Sequence, residues 1–465
     1  MELREYQKRI ANWLATRRHA CMSVGMGLGK TAAVLHYLDW RLKGWPHLRI
    51  LIVAPKRVAE EVWCQEADKW QLWQLRANMS LIAGTAKRKQ ERAADKAPVH
   101  VVGRDNLQWL LNNYPDYRYI DILVMDELTS FKSWRATRSK AARSITAQQK
   151  IGMTGTFAPN GLIDVYPQLA ACGVTSADDG DYYAWRGRWF VDVNKGRKGM
   201  FPNWQLRKGV DPAEVLRDFE EDIITITTEE YLQVPAMKEE VVSLELSKNE
   251  RAAYDGMSTA LHFSLPDDWD GDFAVGEGAR FAKLHQLVCG FVYDEDGHSL
   301  RVSDKDSGTA RSVKIEWAVE LCRQAAEEGE QVLLYYIHRE AAAWFGERAQ
   351  AAGLVIRSVK AGGDWLTQWN EHRLDVLVAN PASCGHGLNL QYGGRIIVWL
   401  ELTYNYELWA QANARLHRTG QQYPVIVYYT IAADTVDTAM MAALKRKEKE
   451  NKKIERMTRK NYQEK

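Results

Sequence analysis

Ser23-Val24-Gly25-Met26-Gly27-Leu28-Gly29-Lys30-Thr31 has the make-up of a phosphate-binding loop. Gly27 and Gly29 let the backbone curl so that its N–H groups point at a triphosphate, Lys30 can reach the β and γ phosphates, and the Thr31 hydroxyl can ligate Mg²⁺. The run Ala32 to Leu38 predicts a helix whose positive end faces the same anion. The strict pattern has glycine where this chain has Val24.

On either side the chain alternates. Leu3, Tyr6, Ile10, Trp13 and Leu14 are spaced for a helix, and Cys21 to Val24 forms a short strand entering the loop. Ile50 to Ala54 is a continuous apolar run closed by Pro55, as a strand buried on both faces should be. A helix carrying Val58, Val62, Trp63 and Trp70 follows, then short strands at Leu81-Ile82 and His100 to Val102 around the basic, helix-prone stretch 87–96. Ile120 to Met125 runs directly into Asp126-Glu127, and Lys150 to Met153 into Thr154-Gly155-Thr156. Strands that alternate with helices and deliver polar residues at their C-terminal ends imply an α/β fold with a doubly wound parallel sheet, ligands lying outside those ends.

The pattern loosens between about 172 and 300, where acidic, turn-rich breaks flank a stretch both basic and aromatic: Trp185, Arg186, Arg188, Trp189, Lys195, Arg197, Lys198 and Phe201. That stretch reads equally as an added grip on nucleic acid or as a solvated surface around a small aromatic cluster. From about 310 the alternation resumes, with a helix from Ile315 to Ala326 and strands at 331–336, 375–379, 395–399 and 425–429. This second sheet has no phosphate loop of its own. Residues 445–465 are charged in both signs and read as a frayed, solvated helix.

Two stretches carry further chemistry. Asp126 is placed to hold Mg²⁺ and Glu127 to polarise the water that attacks a γ-phosphate. In Gln411 to Gln421, Arg415 and Arg418 are three apart, hence expected on one helix face, where they could neutralise charge developing in phosphoryl transfer.

The whole chain sets bounds. Its 465 residues suffice for about three domains, and 46% apolar with 26% charged residues is an ordinary globular balance. A formal charge of +2 argues neither for nor against nucleic acid. Six scattered cysteines without a Cys-x-x-Cys pair argue against a disulfide framework or structural zinc and fit a reducing cytosol. The first residues lack the apolar core of a signal peptide, and the apolar runs are strand-sized, so a cytoplasmic protein without a membrane partner is expected.

These motifs, in this order, resemble the superfamily-two helicase-type ATPases, and among them the Swi/Snf-type double-stranded DNA translocases. Leu3 to Gln7 resembles the adenine-reading glutamine motif, with Gln7 the glutamine. Gly25 to Thr31 is close to the family's phosphate loop, making Met26, Gly27, Leu28, Gly29, Lys30 and Thr31 ATP-binding residues by resemblance. Val53-Ala54-Pro55 with Trp63, Lys69 and Trp70, the acidic Asp126-Glu127, and Thr154-Gly155-Thr156 with Asn160 and Leu162 match successive motifs, the last coupling ATP to DNA. The most family-specific signals are Gly385-His386-Gly387-Leu388-Asn389-Leu390 and Gln411-Ala412…Arg415…His417-Arg418…Gly420-Gln421. Val234-Pro235, Glu239 to Leu246 and Tyr254 resemble the segment linking the lobes.

The resemblance implies two RecA-like lobes, at 1–170 and 306–444, with a small, mostly helical insertion and linker at 171–305 and a tail at 445–465. It implies ATP and Mg²⁺ as cofactors, with Thr31 and Asp126 the metal ligands. Lys30, Glu127, Arg415 and Arg418 are the catalytic residues, and Gly387 joins the ATP site. Lys56, Arg57, Thr154, Gly155, Thr156 and Gln411 are the expected DNA-binding or coupling residues. The activity implied is ATP-driven movement along double-stranded DNA, bound without sequence specificity. A strand-separating DNA or RNA helicase, and an ATP-gated clamp or scaffold with weak hydrolysis, also fit these motifs. Four places depart from the family: Val24-Gly25 stand where it has Asp-Glu, Leu128-Thr129 where it has Ala-His, Glu401 to Asn405 replace its Asp…Trp-Asn-Pro, and Thr225 to Thr228 replace a basic pair. With no room for accessory domains, a bare motor of bacterial or phage size is expected.

Overall fold

In the computed structural model the described residues are 2–175, 181–195, 202–231, 234–261, 277–303, 308–359, 363–384 and 388–463. The chain divides into two compact units, residues 1–192, 204–232 and 449–465 forming one, and 193–203 and 233–448 the other. The interlobe segment expected at 171–305 is thus shared between the two.

The first unit is built on seven parallel strands: β1 (His19–Val24), β2 (Ile50–Ala54), β3 (Met79–Ile82), β4 (Val99–Gly103), β5 (Tyr119–Asp126), β6 (Thr146–Thr154) and β9 (Ile223–Ile226), in spatial order β3-β4-β2-β5-β6-β1-β9. A small hairpin of β7 (Phe190–Asp192) and β8 (Trp204–Leu206) lies outside this sheet. Successive strand side chains enter opposite cores. Cys21, Leu51, Val53, Leu123 and Met125 pack into one. Ala20, Met22, Ile50, Ile52, Ile122 and Val124 pack into the other. Burial on both faces explains the unbroken apolar runs.

The second unit repeats the plan with β10 (Met237–Leu244), β13 (Val332–Tyr335), β14 (Ile356–Ser358), β15 (Val376–Ala379), β16 (Ile396–Trp399) and β17 (Val425–Ala432), all parallel, ordered β10-β17-β16-β13-β15-β14. Leu333, Tyr335, Ile397 and Trp399 enter one core, and Val332, Leu334, Ile396 and Val398 the other. A hairpin of β11 (Phe291–Tyr293) and β12 (Ser299–Arg301) is separate.

Two expectations are corrected. The end of the chain is not a frayed solvated helix: Val436–Gln463 is one helix, and its later turns bury Asn451, Ile454 and Thr458 in the first unit. Ile454 joins the same core cluster as Ile223, and Thr458 Oγ1 lies 2.7 Å from Thr225 Oγ1. The burying face is only one residue in three or four wide, so the charged composition hides it. Nor is Trp185 a surface grip. It is 1% exposed, stacked on Tyr166 at 5.0 Å and part of the core. Arg186 lies over Trp204 at 3.7 Å and Arg188 over Trp189 at 4.5 Å, while Arg197, Lys198 and Phe201 lie outside the described residues. Trp185→Ala is therefore expected to cost about 3–5 kcal/mol of stability, measured by urea unfolding of the purified chain. A cost below about 1 kcal/mol would contradict this placement.

Candidate functional site

The nucleotide loop spans the end of β1 and the start of helix Lys30–Gly44. Val24 is the last residue of β1, fully buried and paired with Ile226, so the strand runs one residue further than the strict motif allows. Gly27 (φ 81°) and Gly29 (φ 70°) are left-handed, and Gly29 caps the helix. A Cβ on Gly29 would meet Gln7 Nε2 at 2.5 Å, and one on Gly25 would meet Thr228 Oγ1 at 2.4 Å. Thr228, in the stretch that replaces the basic pair, therefore packs directly on the loop.

Gln7 is buried, and its amide is engaged by protein on both sides. Oε1 accepts from Arg4 N at 2.9 Å, and Nε2 donates to Leu28 O at 3.0 Å. Tyr6 Oη donates to the same carbonyl at 2.9 Å. These two residues brace the loop.

Asp126 and Glu127 stand at the end of β5. Trp63 Nε1 donates to Asp126 Oδ2 at 3.1 Å and Glu127 N to Oδ1 at 2.9 Å. Burial pushes the Asp126 carboxyl up to about 6; Lys30 and the Trp63 hydrogen bond pull it down, while Glu127 adds to the rise. A carboxyl in that condition is one a bound cation would keep ionised. With the Thr31 hydroxyl it supplies the oxygen donors that Mg²⁺ takes, so these residues fit the ion.

Glu127 adopts φ 57°, a left-handed conformation rare for a side-chain-bearing residue, and is 8% exposed. Thr129 Oγ1 donates to its Oε1 at 3.1 Å. The Thr154 hydroxyl is within reach of that oxygen (3.2 Å) and of Thr156 O (2.9 Å), its one proton serving either. Thr156 N donates back to Thr154 Oγ1 at 3.1 Å. Thr154 thus ties Glu127 to the Thr154-Gly155-Thr156 turn, and Thr129, where the resembled family has His, holds the same Glu127 oxygen. Gly155 is close-packed as well: a Cβ there would sit 3.0 Å from Met26 Cγ and 3.6 Å from Lys30 Nζ. Lys30, Asp126, Glu127 and Thr154 therefore form one cluster in the first unit.

Beside the cluster, Lys56 is exposed past β2, and the Arg57 guanidinium is paired with Glu61 at 2.8 Å. Sequence reading missed Arg104, which follows β4 and hydrogen-bonds Ser130, and Lys89, 3.4 Å from Asn106. Neither belongs to a recognised spacing: Arg104 directly follows β4, and Lys89 is carried by helix Ala86–Ala94 after β3.

In the second unit, Gln411 is buried on helix Tyr406–Asn413, its amide 3.5 Å from Glu407. Arg415 and Arg418 do not share a helix face, because the helix stops at Asn413 and both lie in the turns that follow. Tyr335 Oη takes the Ala412 carbonyl at 2.9 Å, which the next helical turn would need. Asn413 is drawn into the core, accepting from Trp399 Nε1 and donating to Tyr429 Oη, each at 2.9 Å. Tyr429 Oη donates in turn to Glu239 Oε1 at 2.8 Å, and Lys445 holds the other Glu239 oxygen at 2.5 Å. The Arg415 segment thus follows a hydrogen-bonded network that runs from buried Asn413 to exposed Glu239. Arg418 donates to Leu388 O at 3.1 Å, joining the two family-specific stretches, and His417 lies 3.0 Å from Pro235 O. Gly387 lies outside the described residues.

Glu401, at the end of β16, is fully buried. It accepts from Ile337 N and His338 N at 2.8 Å each and faces His338 Nδ1 at 2.7 Å. Burial alone would raise its carboxyl, but His338 and these hydrogen bonds hold it at about 2. Burial likewise opposes a charged His338, yet Glu401 outweighs it and raises His338 above its ordinary 6.5. Glu401 contributes stability above about pH 4.3 that is lost as pH falls toward 2; the His338 contribution is full below 6.5 and lost as pH rises through its raised value. Neighbouring His285, pushed down to about 4 by burial and by His338, loses stability as pH falls from 6.5 toward 4. In Glu401→Gln the His338 midpoint is expected to fall below 6.5, since burial is then unopposed, and a histidine NMR titration reads it directly. An unchanged midpoint would contradict the pairing.

The SNF2-related domain family profile matches residues 6–273. The chain is 28% identical to protein p41 of Acyrthosiphon pisum secondary endosymbiont phage 1, over 94% of each chain. It is 23% identical to YwqA of Bacillus subtilis, named as a candidate ATP-dependent helicase/translocase, covering 97% of this chain and 48% of that one. The solved Sulfolobus solfataricus SWI2/SNF2 ATPase core in complex with dsDNA aligns at 17% identity and TM-score 0.43, covering 94% of this chain and 89% of that chain. With its profile matched over more than half of the sequence, the chain belongs to the SNF2-related domain family, as an ATPase of the helicase/translocase type.

Proposed function

We propose that the protein moves along double-stranded DNA at the expense of ATP. The observation that carries this is the Lys30–Asp126–Glu127–Thr154 cluster, in which the hydrolytic carboxylate shares a hydrogen-bonded oxygen with the turn expected to couple ATP to nucleic acid. In this reading Lys30 and the loop amides bind the β and γ phosphates, and Glu127 orients the attacking water and takes its proton. Asp126 and Thr31 would hold Mg²⁺, which supplies charge neutralisation between the phosphates when bound. Arg415 and Arg418 stabilise the charge that develops on the transferred group.

Release of phosphate alters the load on Glu127 and, through Thr154, the setting of the 154–156 turn, passing the nucleotide state to the bound strand. Lys56, Arg104 and Lys89 serve as phosphate contacts. None of these residues implies base reading, so DNA binding is without sequence preference and weakens steeply with salt.

ATP turnover measured alone and with duplex DNA, single-stranded DNA and RNA tests the reading. Stimulation by duplex DNA above the other two supports it. Stimulation chiefly by single strands or RNA supports a strand-separating helicase instead, and binding without turnover supports a clamp.

A further inference from the structure

The C-terminal turns of helix Val436–Gln463 carry charge in a pattern that an ordinary solvated helix does not need. Asn451, Ile454 and Thr458 face the first unit. On the side away from them, Lys449, Lys452, Lys453 and Arg456 are all exposed, at positions i, i+3, i+4 and i+7. Lys449 with Lys453, and Lys452 with Arg456, are like-charge i,i+4 pairs, which work against an isolated helix. Among the described residues, Lys449, Lys453 and Arg456 make no ion pair, although Glu448, Glu450 and Glu455 belong to the same turns. The acidic residues flank the stripe and leave it unbroken.

The helix is firmly seated. Thr458 meets Thr225 on β9, Arg459 reaches Glu230 at 3.8 Å, and Met457 packs on the core. A Cβ on Gly161 would lie 3.7 Å from Glu450 Oε2, which places this turn beside the loop that follows Thr154-Gly155-Thr156. The stripe is thus a fixed row of cations on the helix whose Glu450 lies beside Gly161.

We infer that Lys449, Lys452, Lys453 and Arg456 form a second binding surface for the phosphate backbone of duplex DNA, on the first unit and outside the family's motifs. The inference rests on the functional reading above. A row of like charges about one helical turn apart is matched by the closely spaced phosphates of a duplex, which relieve its repulsion and release counterions. Because it touches only phosphates, the surface adds grip without sequence preference.

The test is the salt dependence of binding to a 30-base-pair duplex, followed by fluorescence anisotropy for the wild type and for Lys449→Gln/Lys453→Gln/Arg456→Gln. The slope of log affinity against log salt is expected to become shallower by about 2–3, the value for three lost phosphate contacts at about 0.9 each. At fixed low salt the affinity is expected to fall at least tenfold. Arg323→Gln/Arg348→Gln/Arg373→Gln, with the same loss of charge on exposed sites of the second unit, should leave the slope unchanged. Thermal melting verifies that both variants fold. An unchanged slope in the first variant, or an equal change in both, would overturn the surface. A wild type that fails to bind duplex at all would instead overturn the functional reading.

Discussion

Glu127→Gln is expected to bind MgATP as tightly as the wild type and to hydrolyse it about 10²–10⁴-fold more slowly, the range for loss of a positioned general base. The expectation follows from the oxygen that Thr129 and Thr154 both approach. Glutamine keeps the side chain's size and one acceptor for those hydroxyls, so the loop and the left-handed backbone at 127 should survive while the base is lost. Separate measurements of nucleotide affinity and single-turnover hydrolysis distinguish the two. Hydrolysis within a few fold of wild type would mean that another group activates the water.

Arg415→Ala is the second large effect. Removing an arginine that neutralises the transferred phosphoryl group costs about 10³–10⁵ in kcat, with ATP affinity changed far less. Arg418→Ala would in addition release the Leu388 carbonyl that its guanidinium holds. Single-turnover hydrolysis at saturating ATP and DNA gives the number. A loss below tenfold would remove Arg415 from the catalytic set.

Much of this architecture is legible in the sequence. The strands at 50–54, 120–125 and 425–429 are apolar runs because both faces of each sheet are covered, and each of the first two ends abruptly in polar or basic residues that border the site. The cluster around Lys30 follows from those ends. What is not legible depends on partners distant in sequence. Ile223–Ile226 looks like linker until it pairs with β1, and Met237–Leu244 until it pairs with β17. The helical expectation for Arg415 and Arg418 fails because Tyr335, Trp399 and Tyr429, from three separate strands, end the helix at Asn413. The packed tail is hidden because three buried residues hold a helix whose composition is otherwise charged. Thr129 reads in the sequence only as a departure from His, since its bond to Glu127 depends on the turn that closes between them.

The most direct test of the central proposal is displacement of a third strand from a DNA triplex placed downstream of a duplex entry region. Wild-type protein with ATP should release the third strand after a lag that lengthens with the distance to be travelled, and Glu127→Gln should release none. Strong ATP turnover on the same duplex with no displacement, or displacement that does not depend on distance, would contradict translocation.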